Sequence, residues 1–236
     1  MTKIAVISDI HGNKTALDEV LKDIRKRGIQ RIFCLGDLIG KGPQGSECIQ
    51  SVKDNCDHVV RGNWDVFIQS PAENDFIQWF QDRLTKEDYE YLASLPFHID
   101  IELNDCLIRL FHASPRSEFE RILPFHPVEK QLSLFENSEQ TGKTKSPDIV
   151  FYGDIHTTFL RTYSRGILCN PGSVGNSLDL TSASYAIIDA SYGHPAIQFI
   201  RVDYDQDKEL EIARKADLPD FEKYKNEIVH AQYRNA

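Results

Sequence analysis

Five short apolar runs in this chain each stop at a small set of polar residues, and that recurrence restricts the fold more than any other feature. Residues 3–8 (KIAVIS) lead into Asp9-Ile10-His11-Gly12-Asn13, and residues 31–35 (RIFCL) into Gly36-Asp37. Residues 57–61 (DHVVR) lead into Gly62-Asn63-Trp64-Asp65. A run ending at Phe111 meets His112, and one ending at Tyr152 meets Gly153-Asp154-Ile155-His156. In an open α/β sheet the C-terminal ends of the strands share one edge, where ligands bind. The five ends therefore deliver Asp9, His11, Asp37, Asn63, His112, Asp154 and His156 to one rim.

The intervening segments fit that layout. Residues 14–27 place Ala16, Leu17, Val20, Leu21 and Ile24 on one helical stripe, and Gly28 closes the helix. A second helix is predicted over 45–54, so the first third of the chain reads as a pair of βαβ units. Residues 66–96 carry Phe67, Phe76, Trp79, Phe80, Tyr89 and Tyr91 in helical patterns, with Thr85 and Asp88 as a capping box. They predict helices laid over the sheet, a cap-like insertion. A hairpin is expected over 97–111 with Asn104-Asp105 at its turn. Residues 115–147 break the regularity, and 136–147 (ENSEQTGKTKSP) reads as a mobile polar loop. Strands resume at 148–152, 159–164, 166–169, 184–190 and 196–202, followed by one or two charged helices over 206–231. The expected fold is a single α/β domain over 1–236: two mixed β-sheets packed face to face and flanked by helices.

Composition narrows the classes of function. Among 236 residues the net charge is −9, which disfavours stable binding to nucleic acid or to an anionic membrane. No apolar run approaches the roughly 20 residues of a membrane span, and the N-terminus enters a strand without a signal-peptide core. Five cysteines with no CxxC spacing read as reduced thiols, and a cytoplasmic location is expected. Thr141-Gly142-Lys143-Thr144 echoes a phosphate-binding loop but lacks the earlier glycine and the preceding strand.

Each rim residue has a plain explanation of its own, since Asp, Asn and Gly form turns and Asn13 can cap a helix. Seven oxygen and nitrogen donors repeated at strand ends are harder to obtain from turn chemistry. A carboxylate, imidazole and amide set without thiolate suits Mn, Fe, Co or Zn in a catalytic site, and seven ligands are enough for two ions.

The ordered set D-x-H, G-D, G-N-x-D, H and G-x-x-H resembles the calcineurin-like metallophosphoesterases. Asn170-Pro171-Gly172-Ser173 is similar to a loop of their small bacterial phosphodiesterase branch, which includes diadenosine tetraphosphate hydrolases. The resemblance spans about residues 3–200 and implies a four-layer αββα sandwich. It further implies that Asp9, His11 and His156 bind one metal, that Asp37 bridges, and that Asn63, His112 and Asp154 bind a second. Mn or Fe is the expected metal, with Zn, Co and Ni as alternatives. Asp37, Asn63 and Asp65 are implied as catalytic residues. Two cations about 3.5–4 Å apart would acidify a bridging water for in-line attack on phosphorus.

Two positions depart from the family pattern. Trp64 replaces a histidine that can protonate the leaving group, and an indole cannot serve as that acid. This favours good leaving groups, as in activated diesters or phosphoanhydrides such as diadenosine tetraphosphate, over phosphomonoesters or phosphoproteins. Asp154 stands in place of a histidine and adds a negative charge. Lys41, Arg61 and Arg116 lie near the motifs and are candidate phosphate contacts. A non-catalytic scaffold on the same fold is the alternative of a different class.

Overall fold

The first apolar run folds as β1 (Lys3–Ile7), and Ile4 to Ile7 are fully buried, as expected of a strand covered on both faces. The computed structural model describes residues 3–232. After β1 come α1 (Lys14–Lys26), β2 (Arg31–Cys34), α2 (Gly45–Asn55) and β3 (His58–Val59). These are two right-sized βαβ units with parallel strands, β1 on β2 and β2 on β3. The third strand is only two residues long, shorter than the run DHVVR suggested: Val60 N–H still donates to Cys34 O of β2, but Arg61 N–H turns to Pro96 O.

The aromatic segment folds into α3 (Asn63–Phe67), α4 (Asp75–Gln81) and α5 (Lys86–Ser94). Thr85 caps α5 as expected: its Oγ1 accepts from Asp88 N–H, and Asp88 accepts from the Thr85 amide. Two antiparallel strands follow, β4 (His98–Leu103) and β5 (Cys106–Phe111), joined at Asn104-Asp105. Residues 115–147 hold only α6 (Val128–Leu132) and one turn of 3-10 helix. The chain then runs through β6 (Ile149–Tyr152), β7 (Thr158–Tyr163), β8 (Gly166–Pro171), β9 (Ala183–Asp189) and β10 (Ala196–Val202). Two helices, α7 (Gln206–Lys215) and α8 (Phe221–His230), end the described chain.

The strands form two mixed five-stranded sheets, ordered β10-β9-β1-β2-β3 and β4-β5-β6-β8-β7. The period of two along each strand decides how they stack. Ile4 and Val6 of β1, with Phe33 of β2, meet Ile108, Leu110 and Phe151 of the other sheet in a shared apolar layer. The alternate residues Ala5 and Ile7 face outward onto Ala16, Leu17 and Val20 of α1. The outer side of the second sheet is covered mostly by irregular chain, with Ile122, Leu134 and Phe135 packed on Val150, Tyr152 and Leu168. This fourth layer therefore contains little helix.

The polar loop 136–147 has no helix or strand, as expected, yet it is tied down. Arg109 of β5 is fully buried and donates two hydrogen bonds to Asp100, at 2.8 and 2.7 Å. It also donates to Asn137 at 2.8 Å and to Thr144 at 2.5 Å. Removing one partner of a buried pair costs about 3–5 kcal/mol. Arg109→Ala should accordingly lower the urea midpoint and open 137–147 to limited proteolysis. An unchanged cleavage pattern would show that the loop is held by something else.

Candidate metal centre

Three loops are drawn together by backbone contacts and by one buried carboxylate. Asp9 N–H donates to Gly36 O and His11 N–H to Asp37 O, joining the ends of β1 and β2. Asp65 then accepts from the N–H groups of Asp37, Leu38 and Gly62 at 2.8–2.9 Å, fixing the β3 end to the β2 end. The glycine in Gly62-Asn63 is required at this crossing, because a Cβ there would lie 2.1 Å from Asp37 Oδ1. From the second sheet, Gly153 N–H donates to His112 O, and Asp154 N–H points at the Asp9 carboxylate.

Five of the rim residues hold left-handed backbone: Asp9, His11, Asp37, Asp154 and His156, with φ between 50° and 67°. Aspartate and histidine are among the few side-chain-bearing residues enriched there, at a cost on the order of 1–3 kcal/mol each. Strain repeated at the ends of β1, β2 and β6 marks a site that the surrounding fold over-determines.

The histidines are oriented by carbonyls. His11 Nδ1 donates to Ile39 O at 3.1 Å, His112 Nδ1 to Leu35 O at 2.7 Å, and His156 Nδ1 to Asn176 O at 2.8 Å. Carbonyls only accept, so each Nδ1 carries a proton and each Nε2 faces inward, the arrangement that metal-ligating histidines adopt. One ligand atom from each of Asp9, His11, Asp37 and His156 lies within 4.8 Å of the others. His11 Nε2 stands 3.0 Å from His156 Nε2, a spacing that two bare nitrogens hold only around a shared proton or cation. Asp37 faces both ways: Oδ2 is 3.4 Å from His11 Nε2, and Oδ1 is 3.5 Å from His112 Nε2. His112 Nε2 in turn lies 2.9 Å from Asn63 Oδ1. The buried cluster of Asp9, His11, Asp37 and His156 fits a metal site, and Asp37 stands between it and the pair His112 and Asn63.

Electrostatics agree with a site built for cations. Burial, together with Asp65 and Asp9, pushes the Asp37 carboxyl well above the usual range despite His112. Burial also works against an ionised Asp9, but His156, His112 and His11 overcome it and hold Asp9 below the usual range. His11 is held well below its ordinary value by burial and by the charges of His156 and Lys41. His112 goes the other way: burial opposes its charge, but Asp37, Asp9 and Asp154 raise it to about 9.

Not every residue expected at the site lies there. Asp65, expected to be catalytic, is fully buried and spends its carboxylate on three backbone amides, so it positions loops and does not reach the cavity. Arg61 pairs with Glu118 at 3.0 Å, and Arg116 with Glu120 at 2.7 Å and Ser133. Neither lines the cavity of about 330 Å³ that opens onto Asp37, Asn63 and His156. Lys41 does line it, with its ammonium 2.9 Å from Glu227 of α8. Asp154 lines it too, but its oxygens accept from Arg121 at 2.9 and 2.8 Å, and it stands outside the group of four ligand atoms. Trp64 packs over Gly40, edge-on to His11 and Phe80, as part of the cavity wall.

Sequence reasoning passed over Arg121, Asn176 and Glu227. Asn176 receives His156 Nδ1 and donates to Glu227, which also holds Lys41. None of these lies in a strand-end motif, and only the packing of distant segments brings them in.

Two face-to-face mixed sheets with buried carboxylates and imidazoles at their common rim define a metallophosphoesterase, a metal-dependent hydrolase. The sequence profile of the calcineurin-like phosphoesterase superfamily domain matches residues 2–193, and the chain belongs to that family. It is similar to the uncharacterized protein MJ0912 of Methanocaldococcus jannaschii, at 32% identity over 92% of this chain and 94% of that one. It is 24% identical to the phosphodiesterase YfcE of Escherichia coli over 80% of this chain and 88% of the relative. The crystal structure of a metallophosphoesterase from Sphaerobacter thermophilus superposes with a TM-score of 0.80 at 26% identity, covering 97% and 99% of the two chains.

Because His112 sits at about 9, it must lose a proton to ligate a metal at neutral pH. Mn²⁺ uptake by the metal-free protein should therefore release protons at pH 7, and binding should tighten by up to about tenfold per displaced proton for each unit the pH rises toward 9. Calorimetric titration in two buffers of different ionisation heat reads this directly. Heats that do not depend on the buffer would mean that His112 keeps its proton and is no ligand.

Proposed function

We propose that this protein hydrolyses phosphodiester or phosphoanhydride bonds in small nucleotide substrates such as diadenosine tetraphosphate, using two metal ions, most consistent with Mn or Fe. The observation that carries the reading is the two-sided Asp37, with His11, Asp9 and His156 on one side and His112 and Asn63 on the other. When bound, the ions supply Lewis acidity toward phosphoryl oxygens and lower the pKa of water. The chain's own residues do the rest. Carbonyl-anchored histidines keep their Nε2 atoms aimed inward, and Asp65 stops the β2 and β3 loops from separating.

Trp64 bears on substrate choice. It occupies the position of a proton donor to the leaving group, but its ring is packed over Gly40 and its only polar hydrogen is on an indole. Substrates whose leaving oxygen is already a stable anion, such as a nucleotide phosphate, need no such acid. The cavity has space for a ligand of nucleotide class, with Trp64 and Phe76 as apolar wall and Lys41 as a cation on its rim. YfcE, the phosphodiesterase relative, supports the diester part of the reading.

The test is phosphate release from metal-stripped protein with and without Mn²⁺, on diadenosine tetraphosphate, a nitrophenyl diester and a nitrophenyl monoester. Turnover should depend on Mn²⁺ and favour the first two. Two bound ions with no turnover of any of them would indicate a binding scaffold instead. Asp37→Ala should lower turnover by more than about 100-fold, the upper range for merely supporting residues. Trp64→His should raise the monoester-to-diester ratio, a quantity independent of how much protein is folded. A constant ratio would assign Trp64 to packing alone.

A further inference from the structure

The chain departs from its family at Asp154, and the structure provides a partner for that departure. Arg121 Nε donates to Asp154 Oδ2 at 2.9 Å, and Nη2 donates to Oδ1 at 2.8 Å. The two groups come from different places: Asp154 from the end of β6, Arg121 from the irregular segment after β5. An aspartate in place of a neutral histidine adds one negative charge beside Asp9 and Asp37. The guanidinium restores the balance.

Balancing charge does not use up the arginine. A guanidinium has five N–H donors. Two lie on Asp154, and among the described residues the other three have no protein partner. Asp154 is 5% exposed, whereas the Arg121 side chain is 54% exposed and lines the same cavity as Asp37, Asn63 and His156. A buried carboxylate thus holds a cation whose free fork faces the space beside the metal ligands. Planar N–H forks match phosphate oxygens in pairs, which an ammonium cannot do. The other cations near the motifs are engaged elsewhere: Arg61 by Glu118, Arg116 by Glu120 and Lys41 by Glu227.

We propose that Arg121 binds a phosphate group of the substrate next to the metal centre, and that Asp154 positions Arg121 instead of ligating a metal. The ligand class is a phosphate with at least two free oxygens reachable in one plane: the reacting phosphoryl group of a diester, or a neighbouring phosphate of a polyphosphate chain. The inference rests on the phosphoester-hydrolase reading above, because the metal ligands supply the other half of the phosphate site.

The experiment measures binding of inorganic phosphate to Mn²⁺-loaded protein by calorimetry, and Mn content per chain by elemental analysis. Arg121→Ala should weaken phosphate binding by tenfold or more while Mn content stays at the wild-type value, and Arg121→Lys should recover only part of the loss. Asp154→Asn should keep its Mn and weaken phosphate binding several-fold. If Arg121→Ala is too unstable to load, Arg121→Lys and Asp154→Asn carry the same comparison. Wild-type phosphate affinity in these variants overturns the proposal for Arg121, and loss of Mn from Asp154→Asn overturns it for Asp154. The readings fail separately. Arg121-dependent phosphate binding without turnover of any phosphoester sinks the enzymatic function alone. Normal turnover with unchanged phosphate affinity and KM in Arg121→Ala sinks this inference alone.

Discussion

Three carboxylates, Asp9, Asp37 and Asp65, are buried within one small region, and the rest of the architecture follows from the need to tolerate them. Burying an anion away from water is costly unless hydrogen bonds or counter-charges answer it. Asp65 is answered by three backbone amides, which lock two loops together. Asp9 is answered by histidines, by the Ser8 hydroxyl at 2.5 Å and by the Asp154 amide. Asp37 is answered by His112 and the Trp64 amide, while burial and its acidic neighbours hold its pKa up. Asp37 stands between the Asp9, His11 and His156 side of the cluster and the His112 and Asn63 side.

Rigid delivery makes such a cluster workable. β1, β2 and β3 run parallel in one sheet, β5 and β6 run parallel in the other, and all five end at the same rim. The apolar layer between the sheets holds them at fixed spacing, so side chains separated by more than a hundred residues meet within ångströms. Positive φ at Asp9, His11, Asp37, Asp154 and His156 turns each side chain inward immediately after its strand. Packing of the strands bears that strain, so the site does not depend on flexible loops for its shape.

The family profile ends at residue 193, yet the cavity does not. α8 lies beyond that boundary and lines it with Tyr224 and Glu227. Glu227 links Lys41 to Asn176, and through Asn176 to the ring of His156. α8 therefore contributes to the cavity wall and, through Asn176, to the orientation of His156. Arg121 from the irregular segment lines the same cavity.

Much of this was legible before folding. Apolar runs broken by Asp, His and Asn at strand ends specify both the strands and the rim, because the period of two and the turn preferences of these residues are local properties. The helices over 66–96, the hairpin at Asn104-Asp105 and the cap at Thr85 were readable for the same reason. Partners outside the motifs were not legible: Arg61 and Arg116 adjoin motif residues and pair with Glu118 and Glu120. Asp65, two residues after Asn63, accepts from three backbone amides of the β2 and β3 loops. By itself the sequence determined the class of fold and the strand-end rim where Asp, His and Asn side chains gather. Only tertiary structure decided which oxygen faces which nitrogen, that Asp154 is taken up by Arg121, and that α8 closes the cavity. Those outcomes depend on charge pairing between segments far apart in the chain, and no local pattern encodes them.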